Sequence, residues 1–126
     1  MKVLNTLIQT KKVSIVNHNL KGNFQMQPIY TKQLEKLSNT EYVVSITFAV
    51  FSTPEHPFPI DLSATISGNF TFEASVPDIE AENFMAGPAI QILYPHLRSV
   101  VASLTATCYL QPLLLPLVDP RIFKDV

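Results

Sequence analysis

Ile60-Asp61-Leu62-Ser63-Ala64-Thr65-Ile66-Ser67-Gly68-Asn69-Phe70-Thr71-Phe72 alternates apolar and polar residues almost without a break. Ile60, Leu62, Ala64, Ile66, Phe70 and Phe72 fall on one face, and Asp61, Ser63, Thr65, Ser67, Asn69 and Thr71 on the other. A repeat of two with one wet face is the pattern of an antiparallel strand covered on one side. Gly68 interrupts the apolar row and marks a bulge or a close backbone approach.

Working outward, Glu41 to Ser52 reads as a second strand, with Tyr42, Val44, Ile46, Phe48 and Val50 on one face. Both segments are rich in the β-branched and aromatic residues that strands prefer. The link between them, Thr53-Pro54-Glu55-His56-Pro57-Phe58-Pro59, is a stiff, proline-rich loop. Upstream, Val3 to Val16 reads as an edge strand. Phe24 to Leu37 reads as another, approached through Gly22 and demoted in part by Pro28. Ser38-Asn39-Thr40 is a turn, and strands joined by short turns predict a meander.

The pattern changes at Pro77. Asp78 is placed to cap a short helix over Ile79 to Met85, with Glu80 and Glu82 near its positive end. Gly87-Pro88 stops it, and a longer helix follows from about Ala89 to Thr107. Ile90, Leu93, Leu97, Val100, Leu104 and Cys108 recur at helical spacing. Pro95 either kinks this helix or lies in its first turns. Ser99, Ala102, Ser103 and Ala106 form a stripe of small residues. The segment from Tyr109 to Leu117 is apolar and held extended by Pro112 and Pro116. The fold class is therefore α+β: one domain over 1–126, with strands over about 3–73, helices over about 78–108 and an extended apolar tail over 109–126. A four-stranded antiparallel sheet carries a short and a long helix on one face.

Composition narrows the function. Charged residues make up 15% and hydrophobic residues 47% of the chain, where a typical soluble domain has about 25% charged residues. That deficit predicts apolar surface covered by another subunit or kept for a ligand. A net charge of −1 with no basic run beyond Lys11-Lys12 argues against nucleic acid. Cys108 is the lone cysteine, so an internal disulfide and a cysteine-rich zinc site are excluded. His18, His56 and His96 lack metal-ligand spacing, and no cofactor is expected. No serine, nor Cys108, has a nearby histidine and acid in a nucleophilic pattern, and Glu80 and Glu82 lie on different helix faces. No enzyme is predicted. The chain shows no apolar run of signal-peptide or membrane-spanning length, which predicts a cytoplasmic protein with no membrane insertion.

Several stretches resemble the SecB chaperone family. Ile66-Ser67-Gly68-Asn69-Phe70-Thr71-Phe72 is similar to its glycine-containing strand. Ile92-Leu93-Tyr94-Pro95-His96-Leu97-Arg98-Ser99-Val100-Val101-Ala102-Ser103-Leu104 resembles its long helix, with an aromatic-proline pair and an arginine three residues beyond. Pro112-Leu113-Leu114-Leu115-Pro116-Leu117 resembles its proline-bounded apolar segment, and Gln9-Thr10-Lys11-Lys12-Val13-Ser14 its first strand. The resemblance implies helices packed on a four-stranded sheet, assembled as dimers and usually as a dimer of dimers. It implies that unfolded polypeptide clients bind in apolar grooves without ATP, with protein export as the family's pathway. The family docks the motor SecA through acidic residues, where the matched strands here place Lys12, Val16 and Ser63. The chain is also less acidic than SecB and ends soon after the proline-bounded segment. These departures weigh against SecA docking.

Phe51, Tyr94, Tyr109, Phe48, Phe84, Leu113 and Leu115 are the candidates for contact with a polypeptide, because aromatic and leucine side chains give sequence-tolerant contacts. Arg98, Ser99, Ala102, Ser103 and Ala106 are the candidates for an oligomer interface. Arg98 is the lone charge between Asn83 and Val118; it either pairs with a carboxylate across that interface or snorkels to solvent. The alternative to a general holdase is an adaptor dedicated to one partner or peptide, such as an antitoxin tail.

Overall fold

The computed structural model describes the whole chain, Met1–Val126. Four long strands, β1 (Val3–Asn17), β2 (Ile29–Lys36), β3 (Glu41–Val50) and β4 (Ile60–Phe72), precede helices α1 (Asp78–Ala86) and α2 (Pro88–Thr107). A 3-10 turn, Pro120–Ile122, then leads into a short strand, β5 (Lys124–Asp125). The α+β class and both helices are as the sequence predicts.

The strand number and order differ from expectation. The sheet has five strands in the order β1-β4-β3-β2-β5. β5 runs parallel to β2, pairing Lys124 with Thr31 and Asp125 with Lys32, so the sheet is mixed. The tail is therefore not extended throughout; it ends in a turn and a strand too short to show a period. Nor is the sheet a simple meander. β2, β3 and β4 follow one another by hairpins, but β1 pairs with β4, giving a Greek-key arrangement. Residues 18–28 make this possible. They contain no strand, turn at Asn19 and Gly22, both with positive φ, and cross one end of the sheet to the far side of β3. β1 stands at an edge, as expected. It is irregular at Lys11, where the register with β4 shifts between Thr10 and Lys12.

The apolar faces of β3 and β4 are buried as the alternation predicts: Tyr42, Val44, Ile46, Phe48 and Val50 meet Ile60, Leu62, Ala64, Ile66, Phe70 and Phe72 under the helices. The other face of β4 is drier than expected. Ser63 and Ser67 are only 7% and 4% exposed. They are small side chains in a central strand, flanked by Ser14 and Ala49 and by Gln9 and Ser45 respectively. The Thr47 and Thr65 hydroxyls share a hydrogen bond of 2.7 Å across this face, and Asn69 donates to Glu41 at 2.9 Å.

Asp78 does not cap α1. Pro77 holds the cap position, and the Asp78 carboxylate instead accepts from Lys36 Nζ at 2.8 Å and from the Tyr42 hydroxyl at 3.2 Å. The hydrogen bond from the Lys36 ammonium, then that from Tyr42, holds its carboxyl below the ordinary range. This bond pair ties α1 to the β2–β3 hairpin. The buried row of α2 also departs from the expected one. Ala89, Ile90, Leu93, Tyr94, Leu97, Val101 and Thr105 are buried, while Val100, Leu104 and Cys108 lie half-buried at its margin. From Leu93 on, the row steps by four residues, the commonest ridge in helix packing.

Gly68 marks a close approach. A Cβ added there would lie 2.8 Å from both Leu93 Cδ2 and Phe70 Cε2, and both side chains are fully buried. Gly68→Ala is therefore expected to lower stability by about 1–3 kcal/mol through overpacking, despite the gain from a less flexible unfolded chain. Equilibrium urea unfolding checks it; an unchanged or raised midpoint would show that α2 lifts from the sheet without penalty.

Candidate functional site

Helix α2 has Gly87 at its N-cap and Pro88 as its first residue, where the missing N–H matters least. Pro95 lies inside the helix rather than in its opening turn. The helix ends in a Schellman turn: Leu110 N donates to Thr105 O at 3.0 Å and Tyr109 N to Ala106 O at 3.0 Å. The turn needs a left-handed residue, normally glycine; here Tyr109 takes φ of 60°. Its ring is 99% exposed, so no packing compensates for the strain. Tyr109→Gly is expected to raise stability by about 0.5–1 kcal/mol. The urea midpoint checks this, and a fall would mean that the ring packs on the chain.

After this turn the proline-rich segment 109–118 runs back along α2. An irregular segment on an apolar helix leaves backbone groups to satisfy. Pro112 and Pro116 have no N–H to place. Three side chains of α2 meet three of the others. The Tyr94 hydroxyl donates to Pro116 O at 2.6 Å, Arg98 Nε donates to Leu115 O at 2.9 Å, and Thr105 Oγ1 accepts from Leu113 N at 2.9 Å. Burial, and after it the neighbouring Tyr30, pushes the Tyr94 phenol far above its ordinary value, so it stays a donor. Within the chain Arg98 is half-buried and its Nε anchors the chain's own backbone at Leu115 O. With Leu115 turned inward, Leu114 and Leu117 point outward, 75% and 84% exposed.

Beneath the far end of this segment sits an aromatic cluster. Tyr30 packs edge-on against Phe48 at 5.4 Å and Phe123 at 5.3 Å, and Phe123 against Tyr94 at 6.0 Å. A cavity of about 170 Å³ opens beside it, lined by Ile90, Tyr94, Pro95, Arg98, Leu117 and Phe123 among others. A second cavity, about 310 Å³, lies at the other end of the segment between Phe58, Ile60, Leu110 and Leu113.

The residues singled out by sequence fall into separate places. Phe48, Tyr94 and Leu115 are buried and form walls of the core. Phe84 is half-buried, edge-on to Phe70 and Phe72. Leu113 lines the second cavity, while Phe51 and Tyr109 are exposed. Ser99, Ser103 and Ala106 are exposed on the outer side of α2, with Ala102 and Arg98 half-buried. Lys12, Val16 and Ser63 share the face of β1 and β4 that points away from the helices, and none carries a carboxylate. Sequence reasoning missed Tyr30, Phe123 and Thr105. A signal for Thr105 was present: Tyr94, Arg98 and Thr105 carry polar groups on the otherwise apolar side of α2, and prolines follow the helix.

No family model and no curated protein sequence matches the chain. Among solved structures, the SecB-like chaperone Rv1957 of Mycobacterium tuberculosis, in complex with a ChAD peptide from the Rv1956 HigA1 antitoxin, superposes with a TM-score of 0.75. The alignment covers 94% of this chain and 90% of that one, at 16% identity. The fold is SecB-like. A protein of unknown function from Streptococcus agalactiae aligns over 93% of this chain and all of its own at 12% identity, with a TM-score of 0.42. The SecB-like likeness spans nearly all of this chain. Within it, no helix is long and apolar enough to cross a membrane.

Proposed function

We propose that the chain is an ATP-independent holdase that keeps unfolded or extended polypeptides in solution. The observation that carries this reading is the outward side of segment 109–118, where Tyr109, Leu114 and Leu117 stand almost bare on a SecB-like fold. Bare aromatic and leucine side chains cost solubility and give contacts that tolerate many sequences. Tyr109 adds local strain to that exposure. In this reading Tyr109, Phe51, Phe84 and Leu113 touch the client, and Phe48, Tyr94 and Leu115 shape the groove beneath. The protein works in the cytoplasm, without cofactor or catalysis, on export precursors or other clients.

Self-assembly belongs to the same reading. β1 is an edge strand whose Leu4, Leu7, Val13 and Val16 are exposed, and it carries no proline to blunt it. A second copy covers this edge and the Ser99, Ala102, Ser103 and Ala106 side of α2, giving a dimer or a dimer of dimers. Arg98 contributes through the segment it holds.

Light scattering of a denatured protein diluted into buffer tests the function. One oligomer per client is expected to suppress aggregation, and Tyr109→Gly to weaken suppression while raising stability. Absence of suppression at that ratio would sink the holdase. A second reading is favoured by the antitoxin peptide bound to the Mycobacterium tuberculosis chaperone: this chain serves as an adaptor for one short peptide. A single saturable partner, with unrelated unfolded proteins left to aggregate, would select it.

A further inference from the structure

Segment Asp119–Val126 lies across the far edge of the sheet and is lightly held. β5 has two residues, both exposed. Beyond the β2 pairing, Val126 N donates to Lys32 O at 3.1 Å. The charged bonds of the segment are internal: Arg121 binds Asp119 at 3.0 Å and lowers its carboxyl to about 2, and neither side chain reaches the body of the protein. One side chain is fully buried. Phe123 enters the aromatic cluster, edge-on to Tyr30 and Tyr94. Open space remains on both sides of it. Pro120 and Phe123 line the cavity of about 170 Å³. Asp125 lines another of about 280 Å³ with Lys32, Leu34, Val44, Glu82 and Met85.

An extended stretch adding a strand to a sheet edge, with one aromatic side chain in a pocket, is a general way for a protein to bind a peptide. We propose that Asp119–Val126 is a displaceable strap, occupying the place where an extended client segment carrying an aromatic side chain binds. The proposal rests on the polypeptide-holding reading. It names the chemistry of the client: a strand able to pair with β2, with a phenylalanine-like anchor where Phe123 sits and apolar neighbours for the two flanking cavities. It also supplies regulation, because the strap competes with every client and leaves the cluster covered when none is present.

Two full-length variants test it. In a Cys108→Ser background, Thr31→Cys and Lys124→Cys stand opposite each other across β2 and β5, so oxidation locks the strap and reduction frees it. Lys124→Pro removes a ladder N–H from an exposed residue without touching the core. Phe123 precedes it with ψ of 122°, a conformation compatible with a following proline. The probes are a fluorescein-labelled peptide with the sequence of residues 117–126, the same peptide with serine in place of its phenylalanine, and an aggregating client. Lys124→Pro is expected to bind the first peptide about tenfold more tightly, the factor recovered when a site open about one part in ten becomes fully open. The oxidised pair is expected to lose binding and regain it on reduction, and the serine peptide to bind no form. Equal binding by locked and reduced protein, or no gain from Lys124→Pro, overturns the strap; retained suppression of aggregation then leaves the holdase standing. If no form binds peptide or client, both readings fall.

Discussion

Replacing Phe48 by alanine is expected to lower the free energy of unfolding by about 3–5 kcal/mol, the range for deleting a buried aromatic side chain. Phe48 is fully buried near the C-terminal end of β3. It pairs with Tyr30 on one side and Ala64 on the other, so a strand neighbour cannot easily move to fill the space. Its ring supports Tyr30 edge-on at 5.4 Å, and Tyr30 in turn supports Phe123. The hole therefore opens under the cluster rather than at its margin. Phe48→Leu keeps most of the volume and is expected to cost less than about 1.5 kcal/mol. Urea unfolding of the two variants checks the ordering. Equal losses would assign the energy to ring geometry rather than to volume.

The fold was legible where one residue pattern decides one face. Ile60 to Phe72 reads correctly because β4 is central and the helices cover one side of it. Alternation says which way a side chain points but not which strand lies beside it. The pairing of β1 with β4 depends instead on residues 18–28, whose turns carry no apolar pattern. Ser63 and Ser67 read as wet for the same reason, since their burial comes from neighbours on β1 and β3. β5 has two residues and cannot show a period. The candidate site was legible in part. Phe48 and Tyr94 stood out as aromatics in periodic segments, but Tyr30 and Phe123 join them only once the tail folds back. Arg98 was visible as an isolated charge; its partner is a backbone carbonyl, which no residue type advertises.

Arg98 is also where stability and function meet. Arg98→Met keeps the length and apolar stem of the side chain and removes the donor, so its effect reports the bond to Leu115 O rather than lost packing. A hydrogen bond from a charged group is worth about 1.5–3 kcal/mol, and the loss leaves a carbonyl beside buried Leu115 without its donor, so the variant is expected to cost about 2–3 kcal/mol. Tyr94→Phe and Thr105→Val remove the neutral bonds to Pro116 O and Leu113 N and are expected to cost about 1 kcal/mol each. The loss with Arg98→Met should be local first, because segment 109–118 has no regular backbone pairing of its own. Limited proteolysis is expected to cut within 109–118 of the variant before any strand. Arg98→Lys should recover little, since an ammonium on a flexible stem lacks the planar donor geometry. Tyr109, Leu114 and Leu117 ride on this segment, so client holding is expected to fall with an unchanged oligomeric state. The opposite result, a changed oligomer with an intact segment, would return Arg98 to the subunit interface. That outcome would require the charge to find its partner in a second copy, and the Leu115 carbonyl to find another donor.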